Sequence, residues 1–182
     1  MVDPIFPGAP TAVDTAPKRG TLNHLRLTVS DIPRAEAFYA PILDHMGFTL
    51  AERSDTRIAW GMLTAVGDLQ WTVVSLAQDR DGRPPHDRYA PGFHHVAWNA
   101  QSRQDVDDMH ALLVDRGAEV LDPPAAYDYW CTGYYAVFFA DPDGLKLEYV
   151  HIPTAGSAYF WQAFQDRGIN PFDYNDAVVV ED

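Results

Sequence analysis

Apolar and polar positions along this chain change period in an order that occurs twice. From Thr21 the run TLNHLRLTV predicts a strand. The next stretch, SDIPRAEAFYAPILDHMG, places Phe38, Ile42 and Met46 at i, i+4 and i+8 and predicts a helix. Asp31 is positioned to cap it, Pro33 falls in the first turn where a missing N–H does no harm, and Gly47 is its stop. Pro41 lies inside it and predicts a bend. Three short β-like runs follow, FTLAE, RIAWGMLT and LQWTVVSLA. The polar segment QDRDGRPPHDRYAP interrupts the pattern and predicts a linker. Then the order restarts: GFHHVAWNA as a strand and SRQDVDDMHALLVDRG as a helix, with Ser102 and Asp105 spaced as a capping box. Val106, Met109 and Leu113 form its buried stripe and Gly117 its stop. AEVLDPP, GYYAVFFAD and LKLEYVHI complete the second copy as strands.

Both halves therefore read β-α-β-β-β. His24 precedes Gly47 by 23 positions and His95 precedes Gly117 by 22. VGDLQWTVVS falls on PDGLKLEYVH when Gly67 is set on Gly144. A duplication of this kind decides the fold class: α+β, two β-α-β-β-β modules whose sheets curl as a mixed sheet around a shared cavity. The expected organisation is a Pro- and Ala-rich arm over residues 1–19 and a single domain over 20–152. Module 1 spans about 20–78, the linker 79–91 and module 2 about 92–152. The tail, 153–182, contains SAYFWQAFQDRG, an aromatic amphipathic stretch expected to pack on the domain or on a partner subunit.

Charge narrows the partners. The chain of 182 residues carries a net charge of −13 and a pI near 4.7, so attraction to nucleic acid or an anionic membrane is not expected. One cysteine, Cys131, allows neither an internal disulfide nor a thiolate metal cluster. The N-terminal stretch does not read as a secretory signal, and no apolar run approaches the roughly 20 residues of a membrane span. A cytoplasmic location is the expectation.

His94 and His95 are neighbours on a strand and so point to opposite faces. The repeat sets His95 on His24 and leaves His94 directed to the helix layer or the rim. In LKLEYVH, Leu145, Leu147 and Tyr149 share one face, and Lys146, Glu148 and Val150 the other. With the first face on the helices, Glu148 takes the cavity. A buried carboxylate is expensive without a partner, which a divalent metal, an arginine or a wet cleft would each supply. Two imidazoles and one carboxylate are what a facial three-ligand metal site requires.

Three segments, NHLRLTVSDIPRAEAFYAPIL, GFHHVAWNA and GYYAVFFADPDGLKLEYVHIP, resemble the vicinal oxygen chelate superfamily of glyoxalase I, bleomycin-resistance proteins, fosfomycin-resistance thiol transferases and extradiol dioxygenases. The DPDG turn followed by a short strand ending in glutamate is the strongest part of the likeness, which covers about residues 21–152. The resemblance implies a metal held by His24, His95 and Glu148. It also implies a homodimer, because single-chain two-module members commonly build sites across their interface. Glyoxalase I adds a fourth protein ligand. By the repeat its slot here is Trp71, or Gln70 or Thr72 after a slip, so a three-ligand site with open positions is expected.

That departure favours an Fe(II) extradiol-type dioxygenase acting on a small catechol-like, vicinal-oxygen substrate. A glyoxalase-like lyase or isomerase is the alternative. A metal-free binding protein of the bleomycin-resistance kind is a second alternative, disfavoured by the presence of all three ligand types. A Mn(II) thiol transferase ranks lower, for want of a Lys/Arg cluster near the ligands. Fe2+ is the favoured ion, with Mn2+, Zn2+ and Ni2+ also compatible with nitrogen and oxygen donors. Tyr134 and Tyr135 are the catalytic candidates, although on one strand only one can see the cavity. Arg26 and Thr28, on the His24 face, are expected to contact substrate together with Trp71 and Tyr129. His45, His86 and His110 are expected at the surface or rim, and His151 on the face opposite Glu148.

Overall fold

The computed structural model describes residues 21–64, 67–78, 86–128, 130, 133–153 and 162. The arm and all of the tail beyond 153 except Gln162 lie outside the described residues, as do Tyr129 and Cys131. The elements run β1 (His24–Val29), α1 (Ile32–His45), β2 (Thr49–Arg53), β3 (Arg57–Leu63), β4 (Leu69–Leu76), β5 (His95–Asn99), α2 (Arg103–Asp115), β6 (Glu119–Ala126), β7 (Tyr135–Ala140) and β8 (Lys146–His151). They form two four-stranded sheets with orders β1-β4-β3-β2 and β5-β8-β7-β6. In each, the first strand lies parallel to the last, and the others pair antiparallel. The duplicated β-α-β-β-β order is thus also the topology.

Local chemistry accounts for the element ends. Asp31 caps α1 through its side chain on the Arg34 N–H, and Ser102 caps α2 on the Asp105 N–H. Gly47 and Gly117 follow the two helices at φ +89° and +64°, the left-handed conformation that stops a helix. The α2 stripe is the expected Val106, Met109 and Leu113. The α1 stripe differs: Ile32, Ala35, Tyr39, Ile42 and Leu43 are buried, whereas Phe38 and Met46 only pack against the core edge. The buried face is rotated because α1 rests on two surfaces at once, its own sheet and the second module. β6 runs on through Pro123 and Pro124 to Ala126, with breaks in register after Val120 and Asp122. As an edge strand it tolerates residues that cannot donate to a ladder.

Each sheet presents one face to a helix and the helices touch, so both lie between the sheets. One apolar cluster runs from Leu27, Ile58 and Val74 through both helices to Val137, Phe139, Leu147 and Tyr149. Polar ties cross the same junction. The Tyr39 hydroxyl donates to Asp141 at 2.7 Å, and the Ser30 N–H donates to Asp143 at 2.9 Å. The DPDG turn of module 2 is therefore also the anchor for α1 of module 1. Burial raises the Asp141 pKa, against hydrogen bonds from Tyr39 and the Leu145 and Asp143 N–H groups. Burial, followed by the charge of Asp141, raises that of Tyr39.

A second tie joins the end of α1 to the start of α2. His45 Nε2 lies 2.8 Å from Asp105, which also accepts from the Tyr149 hydroxyl and the Gln101 N–H. His45 is therefore part of the junction rather than a surface residue. Burial raises the Asp105 pKa, but these hydrogen bonds outweigh it and leave the group below the usual carboxylate value.

The two sheets do not close on one another, and their outer faces lie on opposite sides of the helix layer. Among the described residues the two sheets of one chain therefore do not enclose the expected cavity. No helix among the described residues is long and apolar enough to cross a membrane.

Two outcomes follow. Tyr39→Phe leaves the buried Asp141 carboxylate one donor short, and urea denaturation should show a loss of about 1–3 kcal/mol; an unchanged midpoint would contradict the tie. Asp105 titrates below its unfolded value, so its contribution is present above about pH 4 and lost as pH falls through the folded pKa. Asp105→Asn should lower stability at pH 7 and flatten its decline between about pH 5 and 3, measured by thermal melts across that range.

Candidate metal centre

The outer face of module 2 carries the densest chemistry. Register places Ala97 against Glu148 and Phe138 against Glu148 on the other side, so the alternation assigned from the sequence holds. Leu147 and Tyr149 face α2, while Lys146 and Glu148 face outward. Yet Glu148 is only 1% exposed. Its Oε2 lies 3.2 Å from His95 Nε2, and its Oε1 accepts from the Tyr134 hydroxyl. Two donors held at about 2.1 Å by one ion in adjacent coordination positions stand about 3 Å apart. The His95–Glu148 separation fits such a pair, and imidazole with carboxylate is a donor set suited to a divalent cation.

His94 lies just before β5 and escapes strict alternation. It is exposed at the rim, with Nδ1 2.6 Å from His95 Nδ1 and its ring against Tyr89. Desolvation, then the charges of His95 and Lys146, lowers its pKa.

Lys146 pairs with His95 across the strands. Its Nζ sits 4.0 Å from the centre of the Phe138 ring and 3.8 Å from Asp122. Alternation puts this lysine on the Glu148 face, but a single lysine in an alternating strand reads as a solvated charge, and its seat beside the ligands emerges only from the fold. Tyr127 packs edge-on to Phe138 and Tyr134.

His24, Arg26 and Thr28 line up on the exposed face of β1, in the other sheet. His24 bonds to Asn23, and the Arg26 Nε–H donates to Ser75 at 2.9 Å. Among the described residues no three His, Cys, Asp or Glu side chains come together as a metal site. His24 thus does not meet His95 and Glu148 within one chain, because the helix layer lies between their faces.

One further expectation needs correction. Tyr135 is turned to the helix layer, where its hydroxyl donates to Asp107 on α2 at 2.8 Å; only Tyr134 reaches Glu148. Within its hairpin Trp71 holds the place of Glu148, opposite Gly61 as Glu148 is opposite Phe138, whereas relative to the histidine strand Val73 holds it, because Trp71 pairs with His24 as Lys146 pairs with His95. The turns before β4 and β8 are equal in length, five residues each between the paired strand ends, and the difference of two lies in how β1 and β5 are set against them. Trp71 lies over Gly61, where an added Cβ would fall 2.9 Å from the indole. His86 binds the Phe93 carbonyl, and His151 faces the helix side, 3.4 Å from the Ala100 carbonyl.

Paired β-α-β-β-β modules with an imidazole and a buried carboxylate on an outer sheet face define a class of small-molecule, metal-associated folds. The chain belongs to the Glyoxalase/Bleomycin resistance protein/Dioxygenase superfamily, whose family model matches residues 21–149. It is 31% identical to YqjT, an uncharacterized protein of Bacillus subtilis, over 133 residues covering 71% of this chain and 97% of that one. It is 26% identical to the metallothiol transferase FosB of Shouchella clausii over 156 residues, 85% of this chain and 96% of the relative. A solved glyoxalase-type structure from Bacillus halodurans superposes with a TM-score of 0.61 at 26% identity, covering 74% of this chain and 97% of that one.

Gly61→Ala should displace the Trp71 indole from the outer face of β4, costing about 1–3 kcal/mol and shifting tryptophan emission. A variant with unchanged emission and stability would show that the indole does not rest there.

Proposed function

We propose that the chain is a divalent-metal enzyme acting on a small substrate with adjacent oxygen atoms, its centre completed when two copies associate. His95 and Glu148 come from one copy and His24 from the other. The observation that carries this reading is the buried Glu148 carboxylate held 3.2 Å from His95 Nε2 on an outward face. Two further features support it. β1 and β5, which bear the two histidines, are both at sheet edges, where strands are open to another chain. The His24 face is also exposed, ready to meet the other.

The bound ion would supply Lewis acidity and a template for the chelating oxygens. His24, His95 and Glu148 would hold it. Lys146, fixed by Phe138 and Asp122, gives this face a positive charge suited to an anionic substrate, and Arg26 does the same on the His24 face.

Within this class, transfer of a thiol to a small anionic electrophile is supported by the likeness to FosB and by Lys146 beside the ligands. A second reading, Fe(II) extradiol dioxygenation of a catechol-like substrate, is favoured by Trp71 and Val73, neither of them a metal ligand, at the two β4 positions that correspond to Glu148, which leaves coordination positions open.

Metal content decides the class. Wild type should bind one divalent ion per chain, and His24→Ala and Glu148→Ala should each lose it. Mixing the two variants under conditions of subunit exchange should restore binding, because a mixed dimer contains one intact site. Tight metal binding by His24→Ala, or none by wild type, would overturn the proposal. Oxygen uptake with catechols, against consumption of a thiol with a phosphonate electrophile, separates the two chemistries.

A further inference from the structure

His95 and Glu148, the two ligands on the module 2 face, each have one atom occupied by a neighbour that the proposed reaction does not use. Glu148 Oε1 accepts from the Tyr134 hydroxyl, and His95 Nδ1 lies 2.6 Å from His94 Nδ1. What remains of each ligand is the atom facing the other, Oε2 and Nε2, 3.2 Å apart. We infer that Tyr134 and His94 are positioning residues that select these two atoms as the metal donors. This rests on the metal reading above and adds to it the ligating atoms and what selects them.

The phenol holds one carboxylate oxygen, so Glu148 binds through Oε2 alone rather than through both oxygens. A ligand oxygen already accepting a strong hydrogen bond is a poorer donor to a cation, and the phenol also fixes the rotation of the carboxylate. On the imidazole, an Nε2 ligand must carry its proton on Nδ1. His94 Nδ1, acting as acceptor, receives that proton's hydrogen bond and holds the His95 ring in the ligating tautomer. His94 lies at the rim, just before the strand, and its adjacency to His95 in sequence is what lets the rings meet with centroids 4.9 Å apart. Tyr134 likewise lies one residue before β7, on the parity of Phe138, whose neighbour across the sheet is Glu148. Tyr134 is therefore reassigned from a candidate catalytic group to one acting through Glu148.

The test measures Mn(II) and Co(II) dissociation constants by chelator competition, with the visible Co(II) spectrum of each loaded protein. Tyr134→Phe and His94→Leu should each weaken binding about 10- to 100-fold. His94→Asn, which keeps an acceptor, should recover most of that loss. Tyr134→Phe should also change the Co(II) spectrum, as the carboxylate gains freedom to bind through both oxygens. Melting of the apo-proteins separates positioning from folding: a purely structural role lowers the melting temperature and leaves the spectrum as in wild type. Wild-type affinity and spectra in both variants, or a His94→Asn no better than His94→Leu, would overturn the inference while leaving the metal reading intact. Wild type without bound metal, or Glu148→Ala binding as tightly as wild type, would overturn both.

Discussion

A carboxylate kept out of water on the outward face of a sheet is the constraint around which this molecule is arranged. An ionised glutamate removed from solvent is costly unless its oxygens are matched by donors or cations. Glu148 is matched by an imidazole at the start of β5 and a phenol just before β7. Holding those three groups in register requires β5, β8 and β7 to pair side by side. That in turn requires the opposite face of the sheet to be sealed by α2 through Val106, Met109 and Leu113. The second sheet repeats the scaffold with a histidine in the same slot and apolar Trp71 and Val73 at the positions that correspond to the carboxylate. Duplication has supplied two equivalent frames, of which only one carries the acid.

The helix layer has a consequence for where chemistry can occur. Both helices lie between the sheets, tied through Tyr39 to Asp141 and His45 to Asp105. Each ligand-bearing face is therefore turned away from the other module of its own chain. A protein built in this way gains a continuous apolar core at the cost of dividing its polar residues between two outer walls. Association of two copies is the simplest way to bring such walls together, and the edge positions of β1 and β5 leave their strands open to it.

Much of this was legible in the sequence. The repeat, the caps at Asp31 and Ser102, the α2 stripe and the outward direction of Glu148 all follow from short-range periodicity, and periodicity survives folding. The α1 stripe was misjudged because Tyr39, a residue with a polar end, is buried to reach an acceptor in the other module; no local pattern encodes a partner a hundred positions away. The hairpin place of Trp71 follows from the repeat, but the two-residue slide of β1 along β4 relative to β5 along β8 is a matter of strand pairing that no local pattern encodes. The position of His24 was misjudged for a larger reason. Alternation tells which face of a sheet a residue occupies, but not which sheets face one another. That depends on how two helices pack between them. Tyr134 and Lys146 gained their importance from contacts across strands, which the sequence alone does not reveal.

Anomalous scattering from crystals of the full chain grown with Mn(II) or Zn(II) would address the central claim most directly. The account predicts one peak per chain, about 2.0–2.3 Å from His95 Nε2, Glu148 Oε2 and the His24 ring of a second copy. A peak elsewhere, or a dimer in which His24 stays remote from the His95–Glu148 pair, would contradict it.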